Sequence, residues 1–219
     1  MEKKLNIYEL IEEEINRSEL SVEEKNSRLS RLLKARGQKI GLMLVGPTGS
    51  GKSSTINSLF DMSVAKVGVG AIPETAEIDA YHLENLTIWD TPGLGDGIEK
   101  DREHAREIMH KISETDEEGN LLVDLVMVVV DGSSKDLSAT YALINDVLIP
   151  SLTPENAHRI LIAVNQADMA MKGNHWDNEN NRPDEVLESF LNEKCASIAE
   201  RIKEASGRSQ ADVLLRRLY

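Results

Sequence analysis

Cysteine occurs once in the 219 residues, as Cys195. A single thiol can build neither an intrachain disulfide framework nor a cysteine zinc cluster, so a reducing, cytoplasmic compartment is expected. Aromatic residues amount to 4%, too few for the stacking platforms that hold single-stranded nucleic acid. No apolar run approaches the ~18–20 residues of a membrane span. The longest, Leu121–Val130, contains Asp124 and has the length of a strand. Met1-Glu2-Lys3-Lys4 leads into a polar amphipathic stretch, and no signal-peptide core is expected there. Basic residues are also scarce: 25 Lys and Arg face 38 Asp and Glu, a net charge of −13. Such a surface repels phosphate backbones, so DNA is not an expected partner, and any polyanion must be held by locally segregated charge.

The hydrophobic fraction, 40%, is enough for a buried core. The length suits one domain with an appendage. Residues 1–38 hold eight acids and eight bases, so the whole excess of negative charge falls in residues 39–219. The same boundary separates two patterns. Leu5, Tyr8, Ile11 and Ile15 follow helical spacing. Ser21-Val22-Glu23-Glu24 is a capping box opening a second helix, with Leu29, Leu32 and Leu33 on its apolar face and Gly37 at its end. Residues 1–38 are therefore read as a helical extension, which either packs on the main domain or serves self-association or partner docking.

From residue 39 short apolar runs alternate with helical segments. Strands are expected over 39–45, 77–82, 86–90, 124–130 and 159–164. Helices are expected from Lys52, over 99–112, over 138–147, and over 183–205 with Pro183 in the first turn and Gly207 beyond the end. Leu187, Leu191, Ile198 and Ile202 form the core stripe of the last one. This alternation implies an α/β fold, a mostly parallel sheet covered on both faces by helices.

Three short motifs sit at strand ends. Gly46-Pro47-Thr48-Gly49-Ser50-Gly51-Lys52-Ser53 follows a strand and opens a helix. Its glycines let successive backbone N–H groups converge on phosphate oxygens, and the helix adds its positive dipole end. Lys52 supplies a point charge for the outer phosphates, and Ser53 a hydroxyl for Mg²⁺. Ser54 continues the phosphate-binding stretch. Asp90-Thr91-Pro92-Gly93 ends the 86–90 strand. Asp90 can hold a water bound to the metal, and the Gly93 N–H can meet a terminal phosphate. Asn165-Gln166-Ala167-Asp168 ends the 159–164 strand. Asp168 can accept two hydrogen bonds from the guanine N1–H and amino group, a donor pair that adenine lacks.

Together these motifs resemble the P-loop GTPases of the translation-factor and Ras-related class over residues 39–207. The run 46–60 with Asn165-Gln166-Ala167-Asp168 is similar to the bacterial Era-like group, which includes prophage-encoded and ribosome-binding GTPases. The loop also resembles septin-like and immunity-related GTPases. The resemblance implies Mg²⁺-dependent GTP and GDP binding and GTP hydrolysis as a molecular switch, which Leu94 and Gly49 are expected to make slow, or a nucleotide-regulated assembly module with little turnover, which the same two residues favour. A ribosome or RNA partner is implied by analogy alone. Thr75, before the 77–82 strand, is the implied metal and γ-phosphate ligand. Lys52, Thr75 and Gly93 would carry catalysis, and Asn165 would brace the loop and the base.

Four departures stand out. Gln166 replaces the Lys whose stem lies on the base. Leu94 replaces a water-orienting Gln, and Gly49 replaces an Asn that holds potassium in some relatives. Asp96 is a local acid that could substitute. After Gly207 a short basic tail replaces the usual last strand and helix, so the 159–164 strand is expected to be exposed as an edge. Histidines lack metal-ligand spacing, Cys195 is expected to pack, and Trp176 to anchor the loop after Asp168.

Overall fold

The computed structural model describes residues 6–60, 77–95, 97–207 and 214–215. Thr75 and Asp96 lie outside them. Helices α1 (Ile7–Arg17) and α2 (Val22–Ala35) come first. Asn6 caps α1 by accepting from the Tyr8 N–H, and Ser21 and Glu24 form the reciprocal capping box of α2. Tyr8 and Ile15 are buried, while α2 has no fully buried residue and leaves Leu33 exposed. The Tyr8 hydroxyl donates to the Gln38 carbonyl at 2.9 Å, and Ile7 packs beneath the sheet beside Ile56 and Ile88. The first helix is thus seated on the α/β body through its own core residues.

The body follows as β1 (Ile40–Val45), α3 (Lys52–Phe60), β2 (Asp79–His82), β3 (Leu86–Asp90), α4 (Ile98–Ser113), β4 (Leu125–Asp131), α5 (Ser138–Ala142), α6 (Ile149–Leu152) and β5 (Ile160–Asn165). A hairpin of β6 (Trp176–Asp177) and β7 (Arg182–Pro183), then α7 (Glu185–Ser206) and β8 (Leu214–Leu215), complete it. The main sheet runs β2-β3-β1-β4-β5-β8, with only β2 antiparallel. Strands β1, β4 and β5 are nearly continuous apolar runs, as strands buried on both faces require. Alternate residues serve opposite layers. Met43, Val45, Val126, Val128 and Val130 face one cluster with α4, α6 and α7. Leu44 and Val129 face the other, with Ile56 and Ile88.

Three expectations are corrected. First, the end of the chain does contribute a strand: Leu214–Leu215 pairs in parallel with Leu161–Ile162, so β5 is not the sheet edge. Two leucines inside a basic run are too short to declare a strand by pattern, yet they suffice where β5 offers unpaired backbone groups. Second, Pro183 lies in β7, not in the first turn of α7. Asp184 caps that helix, accepting from the Val186 and Leu187 N–H groups. Third, the helix from Ser138 does not stop at 147 but continues to Leu152 through a π-helical segment, Leu143–Leu148. Pro150 has no N–H for the Asp146 carbonyl and its ring would strike it, so the turn widens before the proline.

Leu148 is wholly buried on this widened segment, whereas Leu33 is 60% exposed. Leu148→Ala is expected to cost about 2–5 kcal/mol in urea unfolding, and Leu33→Ala less than about 0.5 kcal/mol.

Candidate functional site

Strand order reverses around β1, which lies between β3 and β4. In parallel α/β sheets a crevice forms at the carboxyl ends of strands at such a point. The four segments that converge there follow β1, β3, β4 and β5. Register aligns them: Leu44 lies beside Asp90, and Asp131 beside Asn165.

The loop after β1 is held by its carbonyls. Lys52 is buried, and its Nζ donates to the carbonyls of Gly46 and Pro47, both at 3.1 Å. Asn165 Nδ2 donates to the Ser50 carbonyl at 3.0 Å, and Gln166 Nε2 to the Gly49 carbonyl at 3.1 Å. The Thr55 N–H donates to the Gly51 carbonyl at 2.8 Å. Gly51 must be glycine twice over. Its φ is +89°, and a Cβ would stand 2.0 Å from Asn165 Nδ2. Ser54 is exposed in the first turn of α3.

Ser53 Oγ donates to Asp90 Oδ2 at 2.6 Å. Asp90 is only 1% exposed, and its Oδ1 has no hydrogen-bond partner among the described residues. Burial pushes the Asp90 carboxyl above its ordinary range, against the pull of the Ser53 hydroxyl and the Lys52 ammonium. A hydroxyl and a half-satisfied buried carboxylate are hard oxygen donors of the kind Mg²⁺ takes, so these residues fit that ion. Among the described residues no cluster of three or more His, Cys, Asp or Glu is placed to hold a metal ion.

The segment after Asp90 lies against the loop. Thr91 Oγ1 donates to the Leu44 carbonyl at 2.8 Å. The Thr48 N–H donates to the Leu94 carbonyl at 3.0 Å, and the Leu94 N–H to the Gly46 carbonyl at 3.4 Å. A Cβ on Gly93 would meet the Thr48 nitrogen at 2.7 Å, so only glycine permits this approach. Leu94 is 8% exposed and belongs to the core cluster with Val45 and Ile108. It therefore points into the core rather than into the crevice.

After β5, Gln166 takes a left-handed conformation, φ +54°, and begins a 3₁₀ turn containing Asp168. Asp168 is exposed at the rim, while Ala167 and Ala170 are buried against Leu187 and Leu191. The Gln166 amide holds the loop through the Gly49 carbonyl. Trp176 packs on the same cluster, and Cys195 is buried there. Sequence reasoning missed Lys194. It is 7% exposed, and its Nζ donates to the carbonyls of Asp131, Gly132 and Ser134. Its position three residues after Leu191 and four before Ile198 was the available signal.

A glycine-rich loop between strand and helix, a buried lysine inside it and a serine–aspartate couple beside it define a P-loop nucleotide-binding domain. Residues 41–166 match the family described as 50S ribosome-binding GTPase, and the chain belongs to that family of GTP-binding GTPases. Septin-2B of Xenopus laevis is 42% identical over 76 residues, covering 29% of this chain and 22% of the septin. The septin homolog spn2 of Schizosaccharomyces pombe is 38% identical over 89 residues, 35% of this chain and 27% of that protein. The chain thus matches only about a quarter of the length of these relatives. Toc33 of Arabidopsis thaliana with GDP and Mg²⁺ superimposes with a TM-score of 0.60 at 20% identity, over 90% of this chain and 76% of that one. A dimerisation-deficient mutant of Toc33 gives 0.63 at 16% identity, over 91% and 79%. These structures share the fold.

Because the Leu94 side chain is a core residue, Leu94→Gln should place an amide among apolar groups. Stability should fall by about 1–3 kcal/mol in urea unfolding, and phosphate release from GTP should not accelerate.

Proposed function

We propose that the chain binds GTP and GDP with Mg²⁺ at the carboxyl ends of β1, β3 and β5, and that it hydrolyses GTP slowly as a molecular switch. The observation that carries this reading is the Ser53–Asp90 contact of 2.6 Å, beside a buried Lys52 and a loop braced by Asn165. Within residues 46–54, the N–H groups of Gly49 and of Gly51 to Ser54 turn toward the phosphates, and Lys52 adds charge there. Ser53 and Asp90 would hold the Mg²⁺, Asp90 through water, and the chemistry supplied there would be neutralisation of part of the phosphate charge. Asp168 reads the guanine, with Asn165 and Gln166 fixing the loop on which it stands. Gly93 follows the terminal phosphate, and Thr75, outside the described residues, is the remaining ligand in this scheme.

A second reading is favoured by Leu94. With this side chain in the core, the segment after Gly93 offers no water-orienting group at that position. The chain would then be a GTP/GDP-regulated assembly or partner-binding module with little turnover of its own, its catalytic group arriving from a partner or a second copy. One solved neighbour, atToc33 with psToc159, carries the statement that dimerisation is important for its GTPase activity. We extend the same logic to this chain, with residues 39–219 as the G domain and residues 1–38 as an appended helical hairpin. The 46–60 run supports an Era-like bacterial assignment. A single buried Cys195 suits the cytoplasm, and among the described residues no helix is long and apolar enough to cross a membrane.

Two measurements test this. Asp168→Asn should move preference from guanine to xanthine nucleotides by at least about tenfold in competition binding, because the xanthine carbonyl accepts from the new amide. An unchanged GTP preference refutes the base assignment. Single-turnover hydrolysis across protein concentrations separates the switch from the assembly module. A rate independent of concentration supports self-sufficient hydrolysis, and a steep rise supports activation between copies.

A further inference from the structure

Lys194 lies in the middle of α7, far in sequence from every motif above, and is 7% exposed. An ammonium has three hydrogens to donate and no acceptor. Here all three meet backbone carbonyls of one turn, the one following β4: Asp131 at 3.1 Å, Gly132 at 2.7 Å and Ser134 at 2.5 Å. A buried charge is retained at high desolvation cost unless its hydrogen bonds are complete. Burial lowers the lysine's proton affinity, with Asp131 and Cys195 pulling the other way. The Phe190 ring stands 5.3 Å from Nζ, and Lys135 and Glu193 flank the shallow cleft at this point.

The turn that Lys194 grips touches the nucleotide loops directly. The Gly132 N–H donates to the Asn165 carbonyl at 2.7 Å. A Cβ on Gly132 would stand 2.9 Å from that carbonyl oxygen and 3.1 Å from the Ala167 Cα, so the turn is seated hard against the segment 165–168. Asn165 in turn donates to the Ser50 carbonyl and fills the space above Gly51. A continuous series of backbone-carbonyl hydrogen bonds thus runs from α7 through the β4 turn and Asn165 to the P-loop.

We propose that Lys194 is a positioning residue of the nucleotide site, clamping the turn 131–134 so that Asn165 and the P-loop keep their mutual geometry. It touches neither base nor phosphate in this scheme. An apolar residue at 194 would leave three converging carbonyls without donors, and the turn would move to find water. Asn165 would then lose its backstop, and bound nucleotide would leave faster. The proposal rests on the nucleotide-binding reading of the site.

The test compares release of a fluorescent GDP analogue from the wild-type chain, Lys194→Met, Lys194→Gln and Ile202→Ala. Ile202 is a fully buried core residue of the same helix, so its truncation controls for loss of stability alone. Lys194→Met should raise the GDP dissociation rate at least tenfold. Lys194→Gln keeps two donors and should raise it severalfold, even if the Met variant fails to fold. Ile202→Ala should stay within twofold of wild type. Amide exchange at Gly132 and over 165–168 should quicken in the Lys194 variants only. Wild-type release rates in both Lys194 variants, or equal acceleration by Ile202→Ala, overturn the clamp. A wild-type chain with no affinity for GDP overturns the reading of the site, and the proposal with it.

Discussion

The shape of the P-loop depends on the donors that occupy its carbonyls, those of Gly46, Pro47, Gly49, Ser50 and Gly51. A loop of this shape can present N–H groups to an anion only if its oxygens face outward and find donors, since an unpaired buried carbonyl costs as much as a lost hydrogen bond. Here the donors come from three directions. Lys52 and Thr55, from the helix the loop opens, take Gly46, Pro47 and Gly51. Leu94, from the segment after β3, also takes Gly46. Asn165 and Gln166, from the end of β5, take Ser50 and Gly49. The shape of the loop is therefore a product of the neighbouring strands as much as of its own glycines.

That constraint explains why the motifs sit where they do. Each is at the carboxyl end of a parallel strand, and the parallel register puts those ends side by side. It also explains how a chain of net charge −13 can offer an anion site. In the proposed reading the attraction comes from oriented backbone dipoles and the buried Lys52 ammonium. Asp90, the buried acid beside the loop, is turned inward toward Ser53.

Much of this was legible in the residues. Apolar runs give β4 and β5, and the places of the loop, Asp90 and Asn165 at strand ends are readable because they depend on local spacing. What escaped depends on long-range partners. Two leucines among basic residues become β8 only because β5 has a free edge to pair with. The π-helical segment follows from Pro150, but only where the helix is otherwise held by the core on both sides of it. The inward turn of Leu94 is invisible as a letter. Leucine there reads as the loss of a catalytic group, whereas in the fold it is the apolar anchor that ties the segment after Asp90 to the sheet.

Lys194 is the sharpest of these cases, because helical periodicity and residue chemistry disagree there. Leu187, Leu191, Ile198 and Ile202 mark the buried face of α7, and Lys194 falls on that face. A lysine so placed is either a defect or a donor to something buried. Sequence alone cannot supply the acceptors, since they are carbonyls of a turn some sixty residues earlier. Carbonyl oxygens carry no side-chain signature, so any polar network built on them is silent in sequence. The contacts by which Lys194, Asn165 and Gln166 brace this site are all of that kind, and a substitution at 194 can therefore act on a loop it never touches.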